Sequence, residues 1–239
     1  MRIMLLPFAS TALLLSTAGC GHIEETGPLV KESKSFDLDK SEIVRAELRM
    51  GVGELKVSGG SSKLAEATFE YNVPSWKPSV EYTSTGFRGN LKVEQKSTSK
   101  GAFGDSQKNR WDIKVNDNIP IDFDFKFGVG EATINLGSAN IRSLELNMGV
   151  GEVKMDLRGT PKKDYSVNIR GGVGEATIHL PKGVGIVADA KGGIGGIHTT
   201  GLVEDGGRYV NEHYRKHTSP VTIRLDVRGG VGAINLYAE

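Results

Sequence analysis

A short phrase, Gly-Val/Ile-Gly running into an alternating apolar strand, recurs along the chain and limits what it can fold into. It reads "MGVGELKVSG", "FGVGEATINLG", "MGVGEVKMDLRG", "GGVGEATIHLP", "GGIGGIHTTG" and "GGVGAINLYAE", with first glycines at Gly51, Gly128, Gly149, Gly172, Gly193 and Gly230. From Gly128 to Gly193 the spacings are 21, 23 and 21 residues, and the last is 37. Self-similarity with a period near 21–23 is the mark of a stacked-coil architecture. A further G-V-G at Gly183–Gly185 falls out of phase and reads as a turn after Pro181.

Register carries more than the motif. With the first glycine of each copy as position 1, positions 5 and 7 are Leu55/Val57, Ala132/Ile134, Val153/Met155, Ala176/Ile178, Ile197/Thr199 and Ile234/Leu236. Three and five residues before the glycine stand Leu48/Ala46, Phe125/Phe123, Leu146/Leu144, Ile169/Val167, Ala190/Ala188 and Val227/Leu225, all apolar. Their neighbours, such as Glu47, Lys126, Glu145 and Arg228, are polar. A period of two on both sides of each motif means two half-buried strands meeting at a tight corner. The fold class predicted is all-β, a single-domain β-solenoid of stacked two-strand coils with G-V-G corners. The glycines need no chemistry, because a corner needs positive φ and close backbone approach. The central Val or Ile is expected to point inward and seal the corner, a burial worth roughly 1.5–3 kcal/mol. Coils repeating every ~4.8 Å would give a core about 30 Å long.

The first residues, "MRIMLLPFASTALLLSTAGC", place one Arg before an apolar run too short to span a bilayer, then small residues before Cys20. Residues 1–19 therefore read as a signal peptide. The segment ending at Cys20 resembles the lipobox of bacterial lipoproteins, with Thr17 where that family usually has Leu. The resemblance implies a lipidated Cys20 as the first mature residue, and Cys20 has no second cysteine to pair with. Residues 20–34 read as the lipidated cysteine and a flexible tether, and 35–239 as the solenoid domain. Gly21 stands where an Asp would signal inner-membrane retention in enterobacteria. The localisation expected is the cell envelope, lipid-anchored, with the outer membrane favoured if the cell has one. Residues 60–126 lack the motif but alternate like strands, as expected of an irregular capping end. The polar run "KSTSKGAFGDSQK" inside them reads as a mobile connection, and residues 201–219 as an inserted exposed loop.

The run "NRWDIKVNDNIPIDFDFKFGVGEATINLGSANIRSLELNMGVGEVKMDL", with Trp111, Pro120 and the G-V-G-E copies, resembles the bacterial toast-rack envelope domains. So does "VNEHYRKHTSPVTIRLDVRGGVGAINL" near the C-terminus. Relatives of those domains occur in cell-wall-stress regulators and candidate adhesins. The resemblance spans about residues 40 to 239, implies the fold, and carries no catalytic residues.

Composition and motifs exclude several functions. Lys plus Arg number 30 against 29 Asp plus Glu, so no global field attracts nucleic acid. G-x-x-x-x-G-K-[ST] is absent and strands, not helices, follow the glycines, which argues against nucleotide binding. G-x-S-x-G is absent too, and no enzyme, cofactor or catalytic residue is expected. Glu131, Glu152 and Glu175 would stack in consecutive coils, an unfavourable row that a cation or a lysine row could relieve. They are weak metal candidates beside the simpler reading of a solvated row. His213 and His217 stand four apart without the HExxH pattern and read as loop residues. The function expected is a non-enzymatic, membrane-anchored scaffold or regulatory interaction module. Its partner would be an envelope protein, a cell-wall polymer or a glycan. The alternative is an adhesin-like or glycan-binding surface lipoprotein. The latter would need an exposed aromatic row, for which Trp76, Tyr209 and Tyr214 are the candidates.

Overall fold

The computed structural model describes residues 26–96 and 106–239. The signal peptide, Cys20, the start of the tether and most of the polar run after Gln95 lie outside the described residues. In chain order the strands are β1 (Val30–Phe36), β2 (Ile43–Ser61), β3 (Ala65–Tyr71), β4 (Pro78–Thr85), β5 (Arg88–Gln95), β6 (Asn109–Asn116), β7 (Ile121–Asn135), β8 (Ile141–Asp156) and β9 (Tyr165–Leu180). Then come β10 (Gly185–Lys191), β11 (Ile197–Thr200), β12 (Val203–Asp205), β13 (Arg208–Val210), the one-turn helix α1 (Glu212–Arg215), β14 (Thr222–Arg228) and β15 (Ile234–Ala238).

Four long strands, β2, β7, β8 and β9, each run through a G-V-G and pair in parallel on both sides of it. Each copy of the phrase thus divides a rung into a first leg and a second leg. First legs make a sheet in the order β4-β5-β2-β7-β8-β9-β14-β10-β13-β12. Second legs order β1-β3-β6-β2-β7-β8-β9-β15-β11. The result is one open, all-β, solenoid-like stack. Apolar ladders from the two legs face each other as its core. Leu48, Phe125, Leu146, Ile169 and Val227 form one ladder, and Val57, Ile134, Met155, Ile178 and Leu236 another; all are buried. Each such side chain contributes roughly 1.5–3 kcal/mol over exposure.

The rungs do not follow the sequence to the end. Gly230 packs on Gly172, and Gly193 packs on Gly230. The last copy, β14 and β15, therefore lies between β9 and the β10–β11 rung. The motif-free segment supplies the other end, where β5 and β6 lie beside the two legs of β2 and antiparallel β4, β3 and β1 extend them.

Three expectations need correction. The central valines point outward: Val129 is 46% exposed, Val150 46%, Val173 49%, Val231 45% and Ile194 76%. The cause is the second glycine of each motif, whose φ is +139° at Gly53, +136° at Gly130, +138° at Gly151 and +138° at Gly174. That conformation shifts the alternation, so the inward positions after the corner are out of step with those before it. On the first three rungs the inside of the corner is filled instead by the residue before the motif. Met50, Phe127 and Met148 are buried there, and Phe127 and Met148 reach beneath Gly130 and Gly151. Next, residues 30–34 belong to β1, paired with β3, and are not tether. Finally, 201–219 is a structured cap. Its β12–β13 hairpin turns on Gly206 and Gly207, at φ +58° and +76°, and pairs with β10. Buried Asn211 ties the cap down: its amide oxygen accepts from Ile186 N (2.9 Å) and Tyr214 N (3.0 Å), and its amide nitrogen donates to Val184 O (2.6 Å).

Candidate functional site: the corner face

Parallel stacking in register turns each motif position into a row running along the molecule. Val52, Val129, Val150 and Val173 pair directly, and Val231 bridges Val173 and Ile194. They form an aliphatic ridge along the outer corner. Beside it the first glycines make a row with no side chains. A groove of about 640 Å³ runs along that row, above buried Met50, Phe127 and Met148.

Charged rows flank these two. On the first leg, in rung order, stand Arg49, Lys126, Asn147, Arg170, Arg228 and Lys191. Arg228 is held by Asp189 (2.9 Å) and Asp226 (3.0 Å), and Lys191 lies 3.7 Å from Asp189. Arg49 pairs with Glu47 at 2.9 Å. Lys126 and Arg170 form no ion pair among the described residues.

On the second leg stand Glu54, Glu131, Glu152 and Glu175, so the three weak metal candidates are indeed neighbours. Relief of their repulsion comes from adjoining rows. Arg110 meets Glu54 at 2.8 Å, Lys154 meets Glu152 at 2.9 Å, and Asn235 donates to Glu175 at 2.5 Å. The hydrogen bond to Glu152 holds the Lys154 ammonium above its usual range, with the charges of Glu152, Glu131 and Glu175 adding to it. Glu131 has no ion pair among the described residues. Among the described residues, no group of three His, Cys, Asp or Glu side chains is placed to hold a metal ion.

The other residues singled out in the sequence do not converge on this face. Trp76 is buried in a tight turn at Pro74–Trp76, Tyr209 is half-buried against the core, and Tyr214 is half-buried in α1. The exposed aromatic row that sugar binding would need is therefore not formed by these residues. His213 is bonded to Thr218 (2.8 Å), while His217 lies beyond α1 at φ +52°, so the two share no helical face. No helix among the described residues is long and apolar enough to cross a membrane.

An all-β, solenoid-like stack whose rungs are turned by glycine, with a striped outer corner, is the class of fold this chain adopts. The chain belongs to the toast-rack family: residues 25–179 match the family described as the N-terminal domain of toast_rack, DUF2154. It is similar to the crystal structure of a candidate cell adhesion protein of Clostridium sporogenes. The two are 33% identical, the match covers 89% of this chain and 100% of that one, and the TM-score is 0.84. A candidate adhesin of Bacteroides fragilis is 12% identical over 87% of this chain and 97% of its own, with a TM-score of 0.35. No curated protein matches the chain.

Proposed function

We propose that this protein is a non-enzymatic, adhesin-like interaction protein of the bacterial envelope. A lipid on Cys20 would hold it to a membrane, and the corner face would meet a protein partner. The observation carrying this reading is the exposed aliphatic ridge. Contiguous aliphatic side chains left in water on a rigid frame mark a contact surface. Their chemistry suits a protein surface better than a sugar ring, which stacks on aromatic faces. Likeness to the C. sporogenes candidate cell adhesion protein supports the adhesin-like form of the reading. A scaffold or regulatory role would use the same face within the envelope.

Two experiments test it. Protease shaving of intact cells, followed by an antibody blot, separates the two orientations: digestion favours the adhesin-like role, and protection until the outer barrier is opened favours the scaffold. Photo-reactive benzoylphenylalanine replaces Val150 or, as control, exposed Asn135 in living cells. Adducts are expected from position 150 and not from 135. Equal yields, or none from 150, would remove the corner face as the binding surface.

A further inference from the structure

The corner face is self-complementary. Take the bond between the first glycine and the valine of each motif as a centre. The residue before it is glycine, an empty place, and the residue after it is valine, a protrusion. Third before it stand Arg49, Lys126, Asn147 and Arg170 on the first four rungs; third after it stand Glu54, Glu131, Glu152 and Glu175. Fifth before it are Glu47 and Glu145 on the first and third rungs, and fifth after it are Lys56 and Lys154. Shape and charge both invert about the centre.

Such a face fits its own copy. Turned by half a revolution about the stacking axis and brought face to face, the second copy sets each valine ridge over the other's glycine groove. The rung spacing of ~4.8 Å is identical in the two copies, so the ridges stay in register along the stack. Every glutamate of the row then faces a donor on the same rung: Arg49, Lys126, Asn147 or Arg170. The last two rungs fit the same rule. There the glutamate is replaced by Ala233 and Gly196, and the cations Arg228 and Lys191 are already held by Asp189 and Asp226 within their own chain. Lys126, Arg170 and Glu131, which have no ion-pair partner among the described residues, gain one. Turning the copy end over end instead sets cation row against cation row, which costs affinity.

We propose that the corner face is a self-association surface whose occupant is a second copy of this chain, packed parallel about a two-fold axis along the stack. The inference rests on the reading that the corner face is the binding surface. The axis leaves both N-terminal ends at the same end of the dimer, so two lipid anchors can enter one membrane. The pair is thus an assembly within one envelope, not a bridge between cells.

The test uses the full chain extracted in mild detergent, with protein mass measured by light scattering across concentration. Wild type is expected to form dimers. Lys126→Glu with Arg170→Glu, and separately Glu131→Lys with Glu175→Lys, are each expected to weaken the dimer at least tenfold. An equimolar mixture of the two variants is expected to pair again, because each then meets opposite charge on both flanks. All four positions are on the surface, and unchanged melting of each variant confirms the fold. A wild type that stays monomeric at every concentration, or variants that pair as before, would overturn the proposal. If monomeric wild type still yields adducts from position 150 to another protein, self-association fails while the proposed function stands. Without adducts, both fail. If an added anionic polymer binds monomers, and only the Lys126→Glu, Arg170→Glu variant loses it, the groove holds a polyanion and the dimer is refuted.

Discussion

Replacing Gly174 by alanine is expected to separate rungs that now touch backbone to backbone. Gly174 sits at φ +138°, and a Cβ there would stand 1.7 Å from the carbonyl oxygen of Gly151 and 2.7 Å from its carbonyl carbon. No flexible side chain is available to yield; backbone must move. Real Cβ contacts essentially never fall under 3.0 Å, so the rung must give by more than 1 Å. Holding a side chain in this glycine-only region costs about 1–3 kcal/mol. Opening the β8–β9 step also loosens the backbone bonds that pair the two strands beside the corner, about two of them at about 1 kcal/mol net each. The sum is about 3–5 kcal/mol, or roughly 6–20 °C of melting temperature for a chain of this size. Gly171 is the control, since a Cβ there meets nothing within 4 Å and its φ is not positive. Gly171→Ala should stay within about 0.5 kcal/mol of wild type. The assay is thermal and urea unfolding followed by far-ultraviolet circular dichroism. If the two variants melt within a couple of degrees of each other, the account of the corner is wrong.

Asn211→Ala strands three buried backbone groups and is expected to cost about 2–4 kcal/mol, seen as faster amide exchange at Ile186. Alkaline pH should destabilise the protein through its tyrosines. Burial, aided by the hydrogen bond to Glu32, pushes the Tyr71 phenol up to about 12, and burial also raises Tyr165. An unfolded tyrosine ionises near 10, so the folded state holds protons that the unfolded state gives up. This contribution is complete below pH 10 and falls between 10 and 12. Tyr165→Phe should flatten that alkaline decline in melting temperature; an unchanged decline would count against it. Cys20→Ser is expected to move the protein from the membrane fraction to the soluble one, and retention in the membrane would end the lipid-anchor reading.

The sequence announces the ladders and hides the corner. Leu48, Phe125 and Leu146 fall where alternation puts them because half-buried strands obey a period of two. The outward valines were within reach of a parity count. Met50 and Leu55 both face inward although an odd number of steps separates them, so one residue of the motif must break the alternation. Gly53 is the residue able to do so at positive φ. Reading valine as inward assigned the break to hydrophobicity instead of backbone conformation. Other features lay beyond local pattern. Val30–Lys34 looks like tether because an edge strand needs few apolar residues. Trp76 looks exposed because its turn is polar, yet the tertiary fold buries it. Leu202 and Val210 anchor a cap whose sequence is otherwise that of a loop. The glutamate row was legible, and so was its need for cations. Its matching with the row across the ridge appears only once the rungs are stacked.

The displaced last rung has a consequence for how the molecule comes into being. Strands β10 and β11 have no parallel neighbour until residues 222–238 arrive and lie between them and β9. A chain emerging from its N-terminus would finish four rungs and then wait with an unsatisfied β9 edge, exposed to any passing strand. Completion of this end of the stack therefore waits on residues 222–238. A product ending before residue 222 would be left with an unpaired β9 edge to which other strands can add. The order of the rungs thus ties the pairing of β10 and β11 to a segment that follows them in the chain.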